Sequence, residues 1–149
     1  MEVIPDQGAI RSVMIAFRRG EDVVQGLRDY VRSSHLDTGF VVSGVGSFDI
    51  CNLHYITTTG LKTADAHISL KGPIEIGSLQ GTIAAGEPHL HVVVRNDADG
   101  ITYCGDLEPG SRCCYRVELG IIIMHKVKSI RRIDGQTGLI DIVNAKDMA

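Results

Sequence analysis

The chain lacks a Cys-x-x-Cys pair, a long apolar run and an excess of basic charge. Each absence removes a class of protein. Its four cysteines are Cys51, Cys104, Cys113 and Cys114. Without the Cys-x-x-Cys spacing they build neither a zinc knuckle nor a thioredoxin-type redox motif. No apolar stretch reaches the roughly 18 residues of a bilayer span, so no membrane partner is expected. The opening stretch "MEVIPDQGAIRSV" has neither the basic start nor the apolar core of a signal peptide. A cytoplasmic protein with reduced thiols is the expectation. The net charge of −3 offers no general attraction to phosphate, which leaves non-specific nucleic-acid binding with little electrostatic support. No repeat or low-complexity segment divides the 149 residues, so residues 1–149 are read as a single domain.

Within that domain the hydrophobic pattern changes period once. "RSVMIAFRRGEDVVQGLRDYVRSSHLDTG" predicts strand, turn, helix, turn. Val13, Ile15 and Phe17 alternate as in a buried strand, and Gly20 ends it. Glu21 and Asp22 then place negative charge at a helix N-terminus. Val23, Leu27, Tyr30 and Val31 form one apolar stripe that fades near His35. The rest predicts strands: 40–43, a glycine break, 48–56, 66–70, a turn at Gly72-Pro73, and 74–83 with two internal glycines. A hairpin follows in "HLHVVVRNDADGITYCGDL", then a long run "SRCCYRVELGIIIMH" and a small hairpin in "IDGQTGLIDI". Residues 118–124 are too apolar for a strand with one wet face and are expected to be central or at an oligomer interface. One helix among many strands predicts an α+β fold: a large, curved, mostly antiparallel sheet with one main helix packed on it.

The chemistry concentrates in "GEPHLHVVV". Side chains two apart on a strand share a face, so His89 and His91 project together. Centring a turn on "DADG" at 97–100 sets His91 opposite Asp106, His89 opposite Glu108 and Val93 opposite Cys104. Two imidazoles and a carboxylate then make a three-ligand metal site with a position left for water. Imidazole suits zinc, iron, copper or nickel, and a divalent ion, zinc first, is the expected cofactor. The competing expectation is two histidines on a solvated strand face. Cys104 reads as a thiolate ligand, a nucleophile or, more commonly for such a residue, an inert half-buried thiol. His54, His67 and His125 read as isolated surface or core residues, and "SGVGS" at 43–47 as a tight turn rather than a phosphate cradle. No reaction follows from spacing alone.

Taken in order, "FRRGEDVVQGLRDYV", "FVVSGVGSFDICNLHY", "GPIEIGSLQGTIA", "PHLHVVV" and "GDLEPGSRCCYRVELGI" resemble the PPC domain. This is the plant and prokaryote conserved domain of AT-hook nuclear proteins and of stand-alone prokaryotic proteins. The resemblance covers residues 11–125 and leaves a short C-terminal tail. It implies an α+β fold with a large antiparallel sheet, a homotrimer, and a pocket near the His-x-His strand that holds a metal in prokaryotic members. The family's Gly-Gly-His-Leu reads Cys104-Gly105-Asp106-Leu107 here, so Asp106 stands where relatives carry a third histidine. Glu75 and Glu118 match family glutamates and are implied as further pocket residues. No Arg-Gly-Arg-Pro-like AT-hook is present, and the nearest basic cluster, "HKVKSIRRI", lacks its glycine and proline. Three expectations result. The first is a small homotrimer whose pocket binds a metal or a small polar ligand. The second, carried by the family label, is a DNA-binding or transcription-related regulatory module without an AT-hook. The third is a non-catalytic oligomerisation platform for a partner protein.

Overall fold

The structure, a computed structural model, describes residues 10–145. Its elements in chain order are β1 (Ile10–Arg18), α1 (Val23–Ser33), β2 (Thr38–Ile56), β3 (Asp65–Ala84), β4 (Glu87–Asn96), β5 (Ile101–Leu107), β6 (Arg112–Met124), β7 (Ser129–Ile133) and β8 (Ile140–Asn144). Six strands form one antiparallel sheet in the order β1-β6-β2-β3-β4-β5. The last strand also pairs with the end of β2, Leu53 to Leu107 and His54 to Asp106. Strands β2, β3, β4 and β5 therefore close a circuit of hydrogen bonds, while β1 and β6 extend from it. The β7–β8 pair is the small hairpin expected in the tail.

The expected breaks at 44–47 and at Gly72-Pro73 are not breaks. β2 and β3 run for 19 and 20 residues, and their irregularities are register shifts inside continuous ladders. Gly46 shows why. It holds φ at +133, and a Cβ there would stand 2.0 Å from the Arg116 carbonyl oxygen. Only glycine lets β2 kink this closely against β6, and the shift between Gly46 and Phe48 follows at once. A glycine inside a strand pattern thus marks a bulge, and the chain stays paired on both sides of it.

Helix α1 begins where the charge pattern places it. The Asp22 carboxylate caps it by accepting from the Gln25 amide at 3.0 Å and also accepts from the Gly110 amide at 2.6 Å. Val23, Val24, Leu27 and Val31 are buried along one face, packed toward β4 and β6. They join Phe48, Leu53, Ile74, Leu79, Leu119 and Ile121 in a single core. Full burial of each such side chain contributes about 1.5–3 kcal/mol. The apolar run at 118–124 lies in β6, hydrogen-bonded to β1 on one side and β2 on the other. Val117, Leu119, Ile121 and Ile123 face the core, and Ile122 and Met124 stay half-buried on the far face. All four cysteines are free thiols. Burial pushes the Cys51 thiol up to about 12, which keeps it protonated and unreactive at neutral pH.

Candidate metal centre

β4 alternates without a fault: Pro88, Leu90, Val92, Val94 and Asn96 are buried, and Glu87, His89, His91, Val93 and Arg95 are exposed. That period of two puts both imidazoles on one face, with ring centroids 5.1 Å apart. β5 pairs in the register set by the 97–100 turn, His91 opposite Asp106 and Val93 opposite Cys104. The Asp106 carboxylate is the hub. Its Oδ1 lies 2.5 Å from His91 Nε2, and its Oδ2 lies 3.0 Å from His89 Nε2. One donor atom each from His89, His91 and Asp106 falls within 4.8 Å of the others, the spacing of a shared metal.

Two neighbours complete the cluster, and one of them was read as isolated. His54, near the end of β2, sits directly opposite Asp106 through the β2–β5 pairing, with Nε2 2.9 Å from Asp106 Oδ2. Its Nδ1 lies 2.5 Å from Glu108 Oε1. Glu108 was expected opposite His89. However, β5 ends at Leu107, and the Glu108 amide donates to the Asn52 carbonyl at 2.9 Å, which turns its side chain to His54 instead. With both carboxylates ionised, both His54 contacts are hydrogen bonds only when the ring carries a proton on each nitrogen. The His67 ring lies 5.4 Å from that of His54. The close approach of β5 to β2 depends on Gly105, where a Cβ would stand 2.5 Å from the His54 carbonyl oxygen. That glycine, between Cys104 and Asp106, was the one local sign that another backbone comes near.

The cluster is graded in exposure. The Asp106 side chain is 19% exposed, His54 25%, His89 51% and His91 65%. The carboxylate is therefore fixed from below while the two β4 imidazoles face solvent. His89, His91 and Gln80 form a wall shared by two clefts of about 530 and 510 Å³. Cys104 lines the first of these, exposed and free, but is not one of the three converging donors. Glu75 lies between Ser47 and Arg95 across the ladder, and Glu118 pairs with Arg116 at 3.2 Å; neither lines either cleft.

Strand order, helix position and the histidine–carboxylate cluster together define an α+β domain of the kind its motifs resemble. The chain belongs to the Plants and Prokaryotes Conserved (PCC) domain family, which it matches over residues 5–125. It is similar to the bifunctional protein GlmU of Synechococcus sp., 30% identical over 135 residues that make up 91% of this chain and 21% of that protein. The chain thus spans about a fifth of that relative's length. A hypothetical protein from Salmonella enterica superposes with a TM-score of 0.80 at 23% identity, covering 95% of this chain and 98% of that one. A metal-containing protein from Archaeoglobus fulgidus superposes with a TM-score of 0.78 at 21% identity, with the same coverage. These two share the fold.

Proposed function

We propose that the protein is a homotrimeric PCC-domain protein that holds a divalent metal, zinc first, on His89, His91 and Asp106, beside a pocket for a small polar ligand. The convergence of three donor atoms within 4.8 Å carries the reading. The donor chemistry fits: two imidazoles and one carboxylate suit zinc and its first-row neighbours, and three protein ligands leave a position open. The metal-containing neighbour from Archaeoglobus fulgidus lends support. When bound, such an ion acidifies water or polarises a carbonyl, the chemistry of a hydrolase or lyase.

The chain's own residues prepare that site. His54, braced by Glu108, holds its Nε2 2.9 Å from Asp106 Oδ2 and supports the carboxylate beside the two β4 imidazoles. Gln80 and Ser78 offer polar groups to a ligand in the adjoining cleft, and Cys104 completes its polar lining. Glu75 and Glu118 line neither of the two clefts. Trimer formation is supported by exposed apolar side chains on β1 and β2, Met14 at 76%, Val42 at 52% and Val45 at 53%. No described helix is long and apolar enough to cross a membrane, and the reading places the protein in the cytoplasm.

Metal analysis of purified protein tests the site. Near-stoichiometric metal is expected in the wild type and its loss in His89→Ala/His91→Ala. The reading fails when both carry the same sub-stoichiometric amount. Sedimentation tests the assembly, and a monomer at micromolar concentration contradicts the trimer. The DNA-associated reading competes under the family label, against a net charge of −3. Nanomolar duplex binding with a steep salt slope would replace the metal-pocket reading with it.

A further inference from the structure

A separate cleft of about 500 Å³ opens where the C-terminal end of α1, the β3–β4 turn and the end of β6 meet. Its floor is apolar: Val31, Leu36, Ile123 and Val127 are all buried. Its walls are basic. Arg11, Arg28, Arg32 and Lys128 line it; Arg28 pairs with Glu87 and Arg32 with Asp29, which leaves Arg11 and Lys128 facing Asp37 and a locally positive cleft in a chain of net charge −3.

The two carboxylates that line it, Asp37 and Glu87, are already engaged. Glu87 pairs with Arg28 at 3.2 Å. Asp37 accepts from the Ser129 amide at 2.8 Å and the Thr38 hydroxyl at 2.9 Å. By contrast, the side chains of Arg11, Lys128, His35 and His125 make no hydrogen bond or ion pair with any described residue. The last carbonyls of α1 are taken up by the chain's own amides, Ser34 on Tyr30, His35 on Arg32 and Leu36 on Val31.

A second observation falls at the same place. Among the described residues only His35 (φ 50) and Ala85 (φ 52) hold a positive φ without being glycine, and both line this cleft. His35 occupies the left-handed position just past a helix end, where glycine is the unstrained choice. Left-handed non-glycine residues cluster at active sites and ligand clamps. Here His35 presents an imidazole to a cavity already rich in cations.

We propose that this cleft binds an organic phosphate. The phosphate is met by Arg11, Lys128 and the imidazoles of His35 and His125, and the organic part rests on Leu36, Ile123 and Val127. Several separated cations with an arginine fork suit a tetrahedral dianion, which can accept from all of them at once. The proposal is independent of the metal site.

The test is a titration of the full chain with phenyl phosphate, followed by amide chemical shifts, with phenol and inorganic phosphate as comparison probes. Saturable shifts are expected at 30–37, 85–87 and 123–128, weaker ones with inorganic phosphate and none with phenol. The Arg11→Gln/Lys128→Gln protein should bind phenyl phosphate at least about tenfold more weakly, with its melting temperature unchanged. The same binding should persist in His89→Ala/His91→Ala, which separates this cleft from the metal centre. The proposal is overturned by an absence of shifts at millimolar phenyl phosphate, by shifts confined to the His89 and His91 region, or by full affinity in the double-charge variant. Displacement of phenyl phosphate by a short DNA duplex at equal phosphate concentration would also overturn it, in favour of nucleic acid.

Discussion

The six histidines divide between two regions with opposite surroundings. His54, His89 and His91 all point Nε2 at one carboxylate, Asp106, and His67 leans on His54. His35 and His125 line the cleft by the helix end, among arginines and a lysine, with no carboxylate of the described residues on either ring. The residue type is the same and the chemistry is not. Imidazoles gathered on a shared acceptor form a site for a proton or a cation. Imidazoles added to unpaired guanidinium and ammonium groups form a site for an anion. The supports differ too. The Asp106 cluster stands on β5 and the two strands hydrogen-bonded to it, β2 and β4, whereas the cleft is assembled from a helix end, a turn and strand termini.

The largest expected effect breaks one half of this comparison and spares the other. His89→Ala/His91→Ala should abolish metal uptake, read by elemental analysis, and leave phenyl phosphate binding intact. Loss of both activities from this one variant would mean that the two regions are a single site. Next comes Gly105→Ala. Its added methyl meets the His54 carbonyl oxygen at 2.5 Å, backbone against backbone, so β5 must move away from β2. Overpacking of this kind costs about 1–3 kcal/mol, read as a lowered denaturant midpoint. It should also weaken metal binding, because Asp106 moves with β5. Glu108→Gln is milder in stability but specific in function. It leaves His54 without its charged brace, and loss of such a supporting group weakens metal affinity about 10–100-fold. Unchanged affinity in Glu108→Gln would reduce His54 and Glu108 to bystanders.

The two regions were unequally legible in the sequence, and the reason is contact range. His89, His91 and Asp106 belong to one hairpin, so a turn at 97–100 and a period of two suffice to bring them together. His54 arrives through a pairing between the end of β2 and β5 that no local pattern encodes. Glu108 was placed opposite His89 by extending the β4–β5 ladder, which stops two residues earlier, at Asp106. Helix α1 and the tail hairpin were legible because capping and turn chemistry are local. Glycines misled where they bend a strand without ending it, as Gly46 does. The basic cleft was not legible at all. Arg11 at the start of β1, Arg28 and His35 on α1 and its end, and Lys128 after β6 come from three separate stretches of chain, and no local pattern brings them together.

The smallest effect is the sharpest test of why His35 is where it is. If the left-handed backbone at His35 is only a helix ending, His35→Gly should relieve it and change nothing else. Glycine adopts φ near +50 without a steric penalty, at the expense of greater freedom in the unfolded chain. The net gain should be about 0.5–1 kcal/mol, visible as a higher denaturant midpoint. If the strain is retained to hold an imidazole over the cleft, the same variant should also bind phenyl phosphate more weakly while its metal content stays at the wild-type level. A protein that becomes more stable and loses anion affinity at one residue would tie the strain to the site. A stabilised variant with undiminished affinity would leave Arg11 and Lys128 as the binding groups and return His35 to the role of a poor C-cap.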